Sequence, residues 1–223
     1  NYTITKAALR ADVKSVSAVY DGRAHGIAAP VITASGNAVT DMEIHYSTSS
    51  LTSQNYGSAP TVSPTLTNVG SETVYYYITG SNYSPVAGNV SLAVTKKPVT
   101  VTAKDTTVTY GEAGKNDGVT YSGFEGSDTA DSLSLVLSYS YTYSGQPGSI
   151  YSAGSRAGKY DIMPGGLSAA NYSFDYKAGT MTVTKKALTE SMFSVANTEF
   201  TYDGTEKKPA VTGADGTDLL KTS

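Results

Sequence analysis

The chain reads as mainly β, laid out as tandem modules of about 90 residues, and three observations predict this. One segment is written three times, as Tyr2-Thr-Ile-Thr-Lys6, Leu92-Ala-Val-Thr-Lys-Lys97 and Met181-Thr-Val-Thr-Lys-Lys186, with Lys6, Lys96 and Lys185 spaced by 90 and 89 residues. Apolar residues alternate with Ser and Thr at period two, the spacing of a strand with one face in a core. No segment sustains the 3.6-residue period of a helix.

Other landmarks keep the same step. Tyr20-Asp21-Gly22, Tyr110-Gly111-Glu112 and Tyr202-Asp203-Gly204 are 90 and 92 residues apart, and Asn82-Tyr83-Ser84 and Asn171-Tyr172-Ser173 are 89 apart. Such a period marks an array of like units. It divides the chain into residues 1–6, the last strand of a preceding repeat; 7–97 and 98–186, two β modules; and 187–223, a truncated third repeat. A repeat that starts and stops mid-unit is expected of a piece cut from a longer protein.

The elements follow in order. Val74, Tyr76 and Ile78 share a strand face, echoed by Tyr160 and Ile162. Val99, Val101 and Ala103 alternate with Thr100, Thr102 and Lys104, and Met181 and Val183 alternate with Thr180, Thr182 and Thr184. Leu133 to Tyr143 predicts one long strand of roughly 36 Å, with Leu133, Leu135, Leu137, Tyr139, Tyr141 and Tyr143 inward and Val136 as the exception outside. Turn clusters fall at Ser35-Gly36-Asn37, Asn116-Asp117-Gly118 and Gly165-Gly166. Helix is limited to short turns at Leu51–Tyr56 and at Asp128–Leu133, where Asp128 and Asp131 form a weak capping pattern. At the joints Lys96-Lys97 runs straight into Pro98-Val99, and Lys185-Lys186 into Ala187-Leu188. Such short, stiff joints predict an elongated rod.

Composition narrows the function. The chain has no cysteine, so nothing is stapled by disulfides. Net charge is only −3, without a cluster of Lys and Arg, which argues against nucleic acid as a partner. No apolar run approaches the ~18 residues of a membrane span, so no membrane insertion is expected.

The motifs resemble bacterial cell-surface repeat modules of the MBG (YGX type) and YDG domain families. The first and third repeats carry Tyr20-Asp21-Gly22 and Tyr202-Asp203-Gly204. The second carries Val108-Thr-Tyr110-Gly111, Gly123-Phe124, Gly158-Lys-Tyr160, Asn171-Tyr172 and Gly179-Thr-Met-Thr-Val183. The resemblance implies tandem β modules, immunoglobulin-like sandwich or β-grasp-like, strung in large exported, adhesin-like proteins, without catalytic residues or cofactor. Gly158-Lys-Tyr160 is similar to the tyrosine corner of β-sandwiches.

The residues themselves offer little chemistry. His25 and His45 are the two histidines, and no Gly-x-Ser-x-Gly elbow accompanies them. Glu43 and His45 can share a strand face, but two ligands do not close a metal site. Asp215-Gly-Thr-Asp218 reads as a polar turn, and the sequons at Asn1, Asn82, Asn89 and Asn171 as turn asparagines. Paired carboxylates for glycoside hydrolysis need a spatial separation that sequence does not supply. No catalytic, cofactor or metal residue is assigned.

Tyrosine is the one binding signal, with 18 Tyr against four Phe and no Trp. Tyr75 and Tyr77, on the face opposite Tyr76, and Tyr151, in a Gly-rich stretch, are the ligand-binding candidates. The competing reading, which we prefer, packs the Tyr75/Tyr77 face on a neighbouring loop or module. The expected function is a non-catalytic stalk or spacer segment of a bacterial surface protein, extracellular and monomeric. The alternatives are a module binding mucin, host glycoprotein or polysaccharide, and an accessory region of a large secreted glycoside hydrolase.

Overall fold

Two sheets in the second repeat set the architecture. The computed structural model describes residues 2–146, 148–196, 198–208 and 210–213. Asn1 and Asp215–Asp218 lie outside these. In chain order the strands of the first repeat are β1 (Ala7–Asp12), β2 (Val16–Val19), β3 (His25–Gly26), β4 (Val31–Ala34), β5 (Asn37–Ala38), β6 (Glu43–Ser47), β7 (Thr65–Leu66), β8 (Gly70–Gly80) and β9 (Tyr83–Thr95). The second repeat holds β10 (Lys97–Ala103), β11 (Thr106–Thr109), β12 (Val119–Ser122), β13 (Ser138–Tyr143), β14 (Gly158–Gly165), β15 (Tyr172–Lys177) and β16 (Gly179–Thr184). A last hairpin pairs β17 (Phe193–Ala196) with β18 (Ala210–Gly213).

In the second repeat β12-β10-β15 form one sheet and β11-β16-β14-β13 the other. The chain changes sheet at Lys104–Asp105 and again at Ala178. Gly179 is needed at the second step, because a Cβ there would come 2.6 Å from the Ala103 carbonyl oxygen. The sheets meet through alternating inward residues, as sandwiches do. Ala103 joins Val108, Tyr160, Ile162, Met181 and Val183 in one cluster, and Val99, Val101 and Tyr172 centre a second.

The first repeat uses the same pairing scheme. β1, with β4 beside it, pairs with the start of β9, β2 pairs with its end, and β8, with β6 beyond it, runs along its whole length on the other side. Because β9 is unbroken, the two sheets fuse into one of seven strands. Its core has two clusters, Val74, Leu92, Tyr46 and Ile27 in one and Leu9, Ile32 and Ile78 in the other. Each fully buried Val, Leu or Ile side chain contributes about 1.5–3 kcal/mol.

The protein is therefore mainly β and sandwich-like, with only two 3-10 turns, Tyr56–Ser58 and Glu190–Met192, among the described residues. Of the two architectures implied by the resemblance, the sandwich is the one present. The alternation read for β10 and β16 holds in the burial pattern, whereas in β8 Val74 and Ile78 are fully buried and Tyr76 packs on both core clusters, but Tyr77 on the opposite face is buried too.

One local expectation is corrected. The long strand Leu133–Tyr143 is absent, and β13 begins only at Ser138. Residues 130–134 make one helical turn that ends as Ser134 adopts φ 51°. The Leu135 N–H then donates to Ala130 O and the Ser134 N–H to Asp131 O, the paired bonds of a Schellman closure. The inward sorting survives without the strand: Leu133 and Leu137 pack on the Val99 cluster, Tyr139, Tyr141 and Tyr143 on the Ile162 cluster, and Val136 is exposed. The helical turn expected at Leu51–Tyr56 is present, with the Asn55 and Tyr56 N–H groups donating to Thr52 O, and it runs on into the 3-10 turn Tyr56–Ser58.

Candidate functional site

The three tyrosine candidates are not brought together on one exposed face: Tyr77 and Tyr151 are buried and Tyr75 is half-buried. Tyr77 is only 6% exposed. It lies opposite His45 in the β6–β8 ladder, and the Tyr56 ring stacks on it at 4.3 Å and 13°. The His45 Nδ1 bonds the Ala59 carbonyl at 2.8 Å, which ties the covering loop to β6. The face thus packs on a neighbouring loop. Tyr75 is half-buried beside Ser47 and Asn89, so no two-ring platform exists. Tyr151 is 8% exposed, donates its hydroxyl to Glu112 O at 2.7 Å and meets the Tyr160 ring edge-on at 5.0 Å. Burial, with Tyr160 and Glu112 nearby, raises its phenol above the usual range. Tyr77 and Tyr151 are both buried and packed, Tyr77 under the Tyr56 ring and Tyr151 against Tyr160.

Tyr56, half-buried where it stacks on Tyr77, borders a surface depression, and sequence reading placed it only in a turn. Lys6, Asp41, Glu43, Thr79 and Ser81 surround it in an open polar depression of about 520 Å³.

The Tyr-Asp-Gly signature is a turn. Asp21 accepts the Arg23 N–H at 2.9 Å and bonds His25 Nε2 at 2.8 Å, while Gly22 takes φ 73°. The backbone N–H of Arg23, then His25, holds the Asp21 carboxyl below its usual range. Asp203 repeats the arrangement with the Thr205 N–H, Lys207 and Gly204 at φ 79°. No three His, Asp or Glu side chains converge as metal ligands among the described residues. Tyr160 donates its hydroxyl to Arg156 O at 2.8 Å, the back-bond of a tyrosine corner.

The most developed polar constellation lies where the repeats meet. Only Lys96 separates β9 from β10. The Asn171 side chain accepts the Val69 N–H at 3.0 Å and donates to Asn68 Oδ1 at 3.0 Å. Lys96 Nζ donates to Ala169 O at 2.9 Å. The Tyr20 ring stands edge-on to Tyr172 at 5.4 Å and packs on the second repeat's core. Tyr172 is 2% exposed, donates its hydroxyl to Asp128 at 2.6 Å and accepts the Glu125 N–H at 3.2 Å. Burial first, then the Asp128 carboxylate, pushes its phenol up to about 12. Lys97 pairs with Glu125 beside it. Asn171 lies in the bend before β15, as expected, and in addition bonds across the joint, whereas Asn89 sits within β9 and is not the turn asparagine expected. The available signal was recurrence: Tyr20 and Asn171 both belong to marks kept at the repeat period.

Tandem, sandwich-like β repeats with direct contact at the joint define the class. Residues 99–182, within the second repeat, match the family model of the MBG domain (YGX type). Solved structures with some likeness include the Clostridium thermocellum CbhA fibronectin(III)-like modules, at 16% identity over 79% of this chain and 94% of that one, TM-score 0.25. Drosophila N-cadherin EC1-3 shares 11% identity over 82% of this chain and 69% of that one, TM-score 0.27. The Bacteroides ovatus mixed-linkage glucan utilization locus SGBP-B, in complex with mixed-linkage heptasaccharide, shares 10% over 77% and 43%, TM-score 0.22. Scores this low carry no argument about function. No curated protein matches the chain.

Proposed function

We propose that this chain is a spacer segment of a large exported bacterial surface protein, with residues 7–97 and 98–186 as successive modules. The observation that carries this reading is the joint. One residue, Lys96, links β9 to β10, and side chains of both repeats bond across it. Such a joint leaves little freedom for one module to fold back on the other, so the pair transmits position along its length. No catalytic role is assigned to the chain. Small-angle scattering tests the reading: a maximum dimension near that of two modules end to end is expected, and a particle no longer than one compact domain of this mass would sink it.

A second reading has one observation behind it. Tyr56 borders a depression rich in hydroxyl, carboxylate and ammonium groups, a surface suited to a sugar ring. Under that reading the chain adheres to mucin, host glycoprotein or polysaccharide. Saturable binding to an immobilised glycan panel, lost in Tyr56→Ala, would support it; the expected result for a pure spacer is no binding.

A further inference from the structure

The contact at the joint has an unused counterpart at the far end of the first repeat. Asn82-Tyr83 stands where Asn171-Tyr172 stands in the second repeat, and the local backbone is the same. The Ala7 N–H donates to Asn82 O at 3.1 Å, as the Lys97 N–H donates to Asn171 O at 3.0 Å. Ala7 pairs with Tyr83 in parallel register, as Lys97 does with Tyr172. Lys6 corresponds to Lys96 and shares a depression with Gly80 and Ser81, just as Lys96 reaches Ala169. The Asn82 side chain is exposed.

The complementary half is also repeated. The Tyr20 N–H bonds Thr95 O at 2.9 Å and the Tyr110 N–H bonds Thr184 O at 2.8 Å, so both tyrosines leave their sheets at the same place. Tyr20, which meets Tyr172, is half-buried, whereas Tyr110 is 43% exposed.

We propose that the end of the first repeat formed by Lys6, Gly80, Asn82 and Tyr83 is a docking surface for another repeat of this type. That partner presents a tyrosine at the Tyr20 position and a free backbone N–H at the Val69 position. The Asn82 amide takes the N–H and offers its own NH2, and the tyrosine closes edge-on over Tyr83. The partner is specified by this occupied contact within the same chain. The proposal rests on the module-array reading above and adds the recognition that would set the angle between modules.

The chain lacks cysteine, so paired cysteines for spin labels are unique. In the native chain, labels at Ser71→Cys and Asp175→Cys should give a narrow distance distribution. Asn171→Ala should broaden it at least twofold, and Asn82→Ala should leave it unchanged. In a chain extended by placing residues 1–96 ahead of Ala7, labels at Ser71→Cys of the added copy and Ser84→Cys of the next should again give a narrow distribution. There Asn82→Ala in the repeat after the new joint should broaden it. A broad distribution in the unsubstituted extended chain, or one indifferent to Asn82→Ala, would overturn the proposal. Retained thermal transitions confirm that each variant folds, and Asn171→Asp, which keeps the acceptor but loses the donor, should give intermediate broadening. Broad distances with an elongated scattering profile would remove the docking contact and leave the spacer; a compact profile with narrow distances would do the reverse.

Discussion

Tyr76 lies opposite Gly88 across the β8–β9 ladder, and its ring fills the space that a side chain at position 88 would need. A Cβ there would sit 2.7 Å from the Tyr76 Cζ. Gly88→Ala should therefore force the ring off its site and destabilise by about 1–3 kcal/mol, as overpacking does. Urea midpoints of Gly88→Ala, with Tyr76→Ala as the partner in a double-mutant cycle, measure this. Additive effects would show that the two positions do not share space.

Ser134 closes its helical turn with φ 51°, a conformation that disfavours any side chain. Ser134→Gly should raise the stability by about 1 kcal/mol, less the added freedom of the unfolded chain. The reading is the midpoint of thermal unfolding, and a lower midpoint would argue against the closure.

Tyr77 and Tyr75 should separate by burial. Loss of a covered aromatic ring costs about 3–5 kcal/mol, so Tyr77→Ala should unfold at much lower urea than the parent. Half-buried Tyr75→Ala should cost less than about 1.5 kcal/mol. The opposite ranking would mean that the loop bearing Tyr56 does not cover this face.

Tyr172 predicts an alkaline limit. Below pH 10 its phenol is neutral in both folded and unfolded chain, and its contribution is whole. Between pH 10 and about 12 the unfolded chain gives up the proton while the folded one keeps it, so stability falls as pH rises. The loss is on the order of 2–3 kcal/mol. Tyr172→Phe should flatten this part of the stability–pH curve; an unchanged slope would assign it to other tyrosines.

The periodic features were legible because burial and alternation are local. Val99, Val101, Ala103, Met181 and Val183 could be sorted without any knowledge of their partners. Leu133–Tyr143 shows the limit. Its inward and outward residues were sorted correctly, yet the strand begins only at Ser138, after a turn that ends at Ser134, since a positive φ at a serine carries no pattern in sequence. Tyr77 and Tyr151 show another limit. Which ring is covered depends on loops that return from 21 and 39 residues away, as with Tyr56 and Glu112. The joint was readable as a short linker, but not as a contact, because Asn68 and Asn171 are 103 residues apart.

The first and last long strands of the second repeat run in the same direction. β11 lies parallel to β16, and β10 parallel to β15. A load applied through Lys97 at one end and Thr184 at the other would slide these strands along each other, so every ladder bond in the pair resists at once instead of opening one by one. A module wired in this way would resist tension applied along the chain, and the residues that define its fold are the same ones that would set how much force it survives.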